Sequence, residues 1–246
     1  MRYFIELSFN GKSFHGWQNQ PNAITVQSVV EDALSKLLKT DVSIVGAGRT
    51  DAGVHAKQMF AHFDAEEFDS ELLKYKLNSF LPKPIAIHKI FKVKSDAHAR
   101  FDALSRSYSY RISRVKDVFE FENAYYFKND LDSNLMNKAC KVLFEYNDFE
   151  SFSRSNTDVK THNCKIMDAK WVETNNELRF EIKADRFLRN MVRAIVGTML
   201  DIGTKKLNID DLHKIIKSKN RSEAGASAPA HGLYLSSIEY PKNISL

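Results

Sequence analysis

Arg49 and Asp51 stand two residues apart inside the glycine-rich segment Gly-Ala-Gly-Arg-Thr-Asp-Ala-Gly-Val-His at 46–55. Glycines at 46, 48 and 53 mark a backbone that turns sharply or closely approaches something. A phosphate cradle is one reading. It lacks the lysine that follows the glycines of a P-loop, and no helix with a third glycine follows at dinucleotide spacing. A glycine-rich hairpin is the other. An arginine beside a carboxylate holds it ionised by charge and hydrogen bonds. A carboxylate fixed in that state serves as a nucleophile or base, although the same pair can be a salt bridge that merely pins a loop.

Two further groups carry charge or aromatic surface. Arg186, Arg189, Asn190 and Arg193 stand at i, i+3, i+4 and i+7 of a helix expected over 186–202. At that spacing they share one face, opposite an apolar stripe of Phe187, Leu188, Met191, Val192, Ile195, Val196, Met199 and Leu200. The face is either solvated or meets phosphates or the Asp51 carboxylate. The strand Arg106-Ser-Tyr-Ser-Tyr-Arg111 sets Tyr108 and Tyr110 on one side with cations around them. Splayed bases and backbone phosphates need such a surface; a core tyrosine is the alternative, favoured more for Tyr110 than for Tyr108. The eight histidines show no pair at metal-ligand spacing with an acidic partner, so no metal site is expected.

The elements that must position these groups follow from periodicity. Residues 3–9 form a strand, and 25–39 form an amphipathic helix through Val26, Val29, Val30, Ala33, Leu34, Leu37 and Leu38, with Thr25 able to cap it. Strands at 42–46 and 55–63 flank the glycine-rich segment. A helix at 69–80 ends before Pro82 and Pro84, and 85–93 alternates again. The second half repeats the order: strand 103–113, helix 131–144, strands 164–173 and 177–185 about a Thr-Asn-Asn turn, helix 186–202 and strand 233–239. Two βαββαβ units predict an α+β protein of two ferredoxin-like (RRM-like) subdomains, 1–102 and 103–246. A mixed, largely antiparallel central sheet with helices on one side would join them, with an active-site cleft between the halves. Residues 146–163 and 216–231 carry no element and have the composition of binding loops or linkers.

Bulk composition sets limits. The 246 residues are 43% hydrophobic and 11% aromatic, enough for a real core, and 36 Lys+Arg against 31 Asp+Glu give a net charge of +5. That excess suits a polyanionic partner without requiring one. Cys140 and Cys164 are too few for a disulfide framework or a metal cluster, and read as free thiols of a reducing compartment. No signal core and no run near the roughly 18 apolar residues of a membrane span is visible. A cytoplasmic protein is expected.

Taken together, the motifs resemble the TruA-type tRNA pseudouridine synthases. Gly46-Ala-Gly-Arg-Thr-Asp51-Ala-Gly-Val-His55 is similar to the family signature, in which the aspartate is the nucleophile. Phe14-His-Gly-Trp-Gln18 resembles the family's N-terminal loop, and His98-Ala-Arg-Phe101 a mid-chain motif. Arg106-Ser-Tyr108-Ser-Tyr110 resembles its Arg-x-Tyr-x-Tyr strand. Phe187 with Met191-Val-Arg193-Ala-Ile-Val-Gly197, and His231-Gly-Leu-Tyr-Leu235, complete the series. Ala194, where asparagine often stands, and Ala-Pro-Ala-His at 228–231 are conservative departures.

The resemblance implies isomerisation of uridine to pseudouridine at positions 38, 39 and 40 of the tRNA anticodon stem-loop. It also implies a homodimer and no cofactor, metal or nucleotide. Residues and resemblance together assign catalysis to Asp51, Arg49, Tyr108 and Arg193. Substrate contacts fall to Tyr108, Arg49, Arg189, Arg186, Phe187 and His55. Whether the aspartate attacks C1′ or C6, or promotes a glycal, stays open at this stage. Two other classes fit parts of the pattern: a non-catalytic tRNA-binding or RNA-folding module, and a Mg²⁺-dependent nucleotide-phosphate enzyme.

Overall fold

A computed structural model describes residues 1–155 and 159–245. Its chain forms two compact units, 1–104 with 234–246, and 105–233. The class is α+β as expected, with mixed, largely antiparallel sheet and five α-helices among the described residues.

In the first unit β1 (Arg2–Phe9) lies between β3 (His55–Asp64) and β4 (Ile85–Lys92), antiparallel to both. The two-residue β2 (Val45–Gly46) pairs with β3 and delivers the chain into the glycine-rich segment. Both faces of β1 are covered. Tyr3 packs near Phe63 and Phe68, and Phe4 near Phe60, Phe91 and Tyr240. The helix α1 (Val26–Leu38) starts where Thr25 accepts the Ser28 N–H in a reciprocal capping box, so the expected cap is present. Asp69 caps α2 (Ser70–Phe80) by accepting the Glu71 and Leu72 N–H groups.

The second unit begins with β5 (Ser105–Ser113), which pairs antiparallel with β8 (Glu177–Ala184), and β8 pairs with β7 (Ile166–Glu173). Short β6 (Tyr125–Tyr126) runs parallel to the end of β5. Helix α3 (Ser133–Val142), capped by Asp132, packs on β7 and on α4 (Met191–Gly203). A fifth helix, α5 (Ile209–Ser218), packs against α3 in a stretch where no element was expected. The final strand, β9 (Leu233–Glu239), belongs from Tyr234 onward to the first unit, where it pairs parallel with β3 at His55↔Tyr234 and Ala56↔Leu235.

One expected element is corrected. The helix expected over 186–202 begins only at Met191. Asn190 takes a left-handed conformation, φ 68° and ψ −1°, which right-handed helix cannot include. Leu188 closes that turn by accepting the Met191 N–H at 3.1 Å. Arg186, Phe187 and Arg189 therefore precede the helix, and of the arginines only Arg193 lies in it. The shared helical face of Arg186, Arg189, Asn190 and Arg193 does not form.

Of the loop at 146–163, residues 156–158 lie outside the described residues. The rest includes a short helical turn at Glu150–Phe152 with Phe149 and Phe152 in the core. The other expected loop, 216–231, is tied down. Arg221 donates to the carbonyls of Ala224 and Gly225 and to Ser227, and Gly225 N–H donates to Thr198 at 2.9 Å. Both cysteines are buried free thiols, each pushed up to about 12 by burial and so held unreactive. No helix among the described residues is long and apolar enough to cross a membrane.

Candidate active site

In the first unit the Asp51 loop is a tight turn. Val54 N–H donates to the Asp51 carbonyl at 3.1 Å, and Gly53, at φ 79°, supplies the positive dihedral that a type II turn needs at its third residue. Asp51 itself is half-buried and Arg49 is exposed. Thr50, between them, is 8% exposed, and its hydroxyl has no hydrogen-bond partner among the described residues.

The loop rests on a segment more than thirty positions earlier in the chain. Trp17 N–H donates to the Thr50 carbonyl at 3.2 Å, and Gly53 N–H donates to the Phe14 carbonyl at 3.4 Å. Phe14 and Trp17 are buried beneath these contacts. Gly16 makes the approach possible: it sits at φ 88°, and a methyl group there would lie 2.4 Å from the Thr50 carbonyl oxygen. The position of the Asp51 backbone is thus set by main-chain bonds between two loops. Spacing around Asp51 gave no hint of this support; its traces in the sequence are the glycines at 16, inside Phe14-His-Gly-Trp-Gln18, and at 53.

His55 lies behind the loop and not on its surface. It is 2% exposed, its Nδ1 accepts the Gly11 N–H at 3.1 Å, and its ring stacks on Tyr234 at 4.6 Å. Those contacts fasten the start of β3, and with it the downstream end of the Asp51 turn.

In the second unit Tyr108 sits on β5 opposite Ile182 and is half-buried. Its ring meets Phe187 edge to face, centroids 5.1 Å apart at 87°. The structure therefore brings these two expected site residues together. Tyr110, two residues on, is fully buried, and its hydroxyl donates to the Pro229 carbonyl at 2.8 Å. Burial pushes that phenol well above its ordinary range, which makes Tyr110 a core residue. Arg111 is likewise structural, paired with Glu177 at 2.6 Å and Glu120 at 2.9 Å. Arg106 donates to the Asp185 carbonyl at 2.9 Å and so fixes the exit from β8.

Arg193 is half-buried on the first turn of α4. Its Nε donates to the Ala228 carbonyl at 2.7 Å, and its own carbonyl accepts the Ala228 N–H at 3.0 Å. This double clamp ties both the side chain and the backbone of Arg193 to Ala228. Arg186 is half-buried with its N–H on Asp185, whereas Arg189 is exposed. Elsewhere in this unit Asp148, Glu150 and His162 come within 4.8 Å of one another. Lys219 already compensates Asp148 at 2.7 Å, and the group is only partly buried. A cavity of about 530 Å³, lined by Val115, Val118, Phe121 and Tyr125 among others, holds none of the expected site residues.

Comparison with known proteins identifies the family. The family described as tRNA pseudouridine synthase matches residues 7–102 and 139–241. A tRNA pseudouridine synthase A of Parabacteroides distasonis is 54% identical over 245 residues, covering 99% of this chain and 97% of the relative. One from Bacteroides fragilis is 51% identical, with 99% and 98% covered. A more distant one from Bacillus subtilis is 38% identical, with 98% and 99% covered. With a match of that length and those relatives, the chain belongs to the tRNA pseudouridine synthase family.

Proposed function

We propose that this isomerase converts uridine to pseudouridine at positions 38, 39 and 40 of the tRNA anticodon stem-loop, with Asp51 as nucleophile. The observation that carries the reading is the Asp51 turn: a half-buried carboxylate on a backbone held by two main-chain bonds from the Phe14–Trp17 segment. The reaction breaks the N1–C1′ bond and makes a C5–C1′ bond from the same atoms, so no redox partner, energy source or external reactant is consumed. It needs a charged group at the sugar–base junction, a surface that keeps the freed uracil, and a path for the C5 proton.

Asp51 supplies the charge, with Arg49 two residues away on the same loop as a cationic neighbour, and Arg193 adds a cation for the substrate. The exposed Arg49 also fills the gap left in the stem when the uridine flips out, an extrusion costing on the order of a few kcal/mol. Tyr108, held in an edge-to-face contact with Phe187, offers its ring to the uracil and its hydroxyl to the C5 proton. Arg186 and Arg189 contact phosphates. His55, buried and engaged, acts through the loop it supports. The enzyme works as a homodimer in the cytoplasm, without a cofactor or metal.

The test is incubation with an unmodified tRNA transcript, without metal or nucleotide, followed by mapping of pseudouridine. The wild type forms product at 38–40. Asp51→Asn retains tRNA binding and forms none. Turnover by Asp51→Asn at a rate comparable to wild type removes Asp51 as nucleophile, and a wild type inactive without nucleotide returns the glycine-rich loop to a phosphate-binding role.

A further inference from the structure

A second feature of the first unit is built with unusual care around two exposed side chains. Phe101 is 72% exposed, and the Arg100 guanidinium lies 5.6 Å from its ring centroid. An exposed phenylalanine normally needs no scaffold. This one rests on a turn in which each successive N–H from His98 to Asp102 is bonded. His98 N–H donates to Asp102 Oδ2 at 2.7 Å, and Asp102 N–H returns to the His98 carbonyl at 3.0 Å. Ala99 N–H donates to His62 Nδ1 at 3.1 Å. Arg100 and Phe101 N–H both donate to His98 Nδ1, at 3.1 and 3.4 Å. Tyr240 donates its hydroxyl to the Ala99 carbonyl. The His98 ring also packs on Phe101, centroids 4.2 Å apart, which fixes the direction of the phenyl ring.

Two neutral imidazoles, a carboxylate and a phenol thus immobilise a tip that presents an aromatic ring and a guanidinium to solvent. Pre-organising both groups lowers the entropy lost when they are engaged. Together they have the chemistry of single-strand and loop recognition, where rings stack on unpaired bases and cations meet phosphates. We propose that the Arg100–Phe101 tip is an RNA-contacting element separate from the Asp51 loop, Phe101 stacking on an unpaired base and Arg100 pairing with a backbone phosphate. The assignment rests on the tRNA substrate of the proposed function. It adds a binding contribution from the His98-Ala-Arg-Phe101 motif, which the catalytic reading leaves unused.

Phe101→Ala, Phe101→Tyr and Arg100→Ala are compared with wild type for tRNA affinity at several salt concentrations, for kcat and KM, and for sedimentation. Phe101→Ala should weaken tRNA binding roughly ten-fold, raising KM while kcat stays within about two-fold. Phe101→Tyr, which keeps a stacking ring, should restore affinity. Arg100→Ala should reduce the slope of log affinity against log salt by about one phosphate contact. Unchanged affinity and KM in Phe101→Ala, at an unchanged melting temperature, overturns the proposal. So does a change of oligomeric mass without a change in tRNA affinity, which would make the tip a protein interface. A wild type that binds tRNA but forms no pseudouridine would instead sink the proposed function, leaving the binding comparison readable.

Discussion

Gly16→Ala tests the claim that the Asp51 backbone is held by the Phe14–Trp17 segment. Gly16 has φ 88°, where an L-residue with a Cβ is strained by roughly 1–2 kcal/mol. The new methyl group would stand 2.4 Å from the Thr50 carbonyl oxygen and 3.2 Å from the Asp51 carbonyl carbon. Both are backbone atoms, so no rotamer change relieves the clash. The Thr50 carbonyl must retreat by about 0.6 Å, an overpacking strain of roughly 1–3 kcal/mol. The combined loss, about 2–5 kcal/mol, leaves a folded protein whose melting temperature is lower by roughly 5–15 °C.

Activity should fall further than stability explains. The atoms that move carry the Asp51 main chain, and misplacement by ~1 Å of a reacting group can cost about a hundred-fold. We expect kcat, followed by release of tritium from uridine C5, to drop at least about ten-fold at a temperature where the variant is folded. The affinity for tRNA should change little. A variant with kcat within about two-fold of wild type and an unshifted melting curve would refute the buttress, because the loop would then be held by something else.

Three other outcomes follow from single features. Thr50→Val replaces a buried hydroxyl that has no partner among the described residues with a methyl group of similar shape, so it should raise stability by about 1 kcal/mol, or roughly 2–4 °C; a lower melting temperature would mean the hydroxyl is bonded. Tyr108→Phe preserves the edge-to-face contact with Phe187, so a loss of kcat near a hundred-fold with KM unchanged assigns the hydroxyl to proton transfer, and full activity confines Tyr108 to stacking. His62 is pushed down to about 4 by burial and then by His98 and Arg2, and its Nδ1 accepts a backbone N–H. Its folded pKa lies below the unfolded value of about 6.5, so the unfolded chain binds the proton first and stability declines as pH falls from about 6.5 towards 4. Denaturant melts at pH 7 and pH 5 should differ by roughly 2 kcal/mol more in wild type than in His62→Asn, whose amide oxygen can replace Nδ1 as acceptor; equal differences would remove His62 as the cause.

Local signals were legible where local chemistry decides the structure. Thr25 capping α1 and the residue patterns of β1 and β5 depend on residues within one or two turns of each other. Helix α5 was equally open to reading: Asn208 and Asp211 form a capping box ahead of Leu212, Ile215 and Ile216, yet at ten residues its pattern is short. The start of α4 misled for a physical reason. Leu188 is buried as a helical residue would be, so apolar spacing continues unbroken upstream of Asn190, although residues 186–188 are irregular and the left-handed Asn190 sits just before the helix that starts at Met191. The pairing of β9 with β3 left no local mark, because only two residues of each strand meet, across nearly 180 positions.

The same distinction explains the site. Side-chain chemistry is visible in a sequence, so Asp51, Arg49 and Tyr108 stood out by type and spacing. Support for Asp51 is mainly backbone to backbone, with Trp17 N–H on the Thr50 carbonyl and Gly53 N–H on the Phe14 carbonyl. Such bonds place no demand on the side chains that flank them, except where a Cβ would intrude or the dihedral is positive. They surface in the sequence only as glycines, at 16 and 53. In its proposed role Asp51 gains from this arrangement, since main-chain bonds fix the backbone that carries its carboxylate. The glycines around Asp51 are therefore part of the geometry on which its proposed role depends, and substituting Gly16 should injure turnover although it contributes no reacting atom.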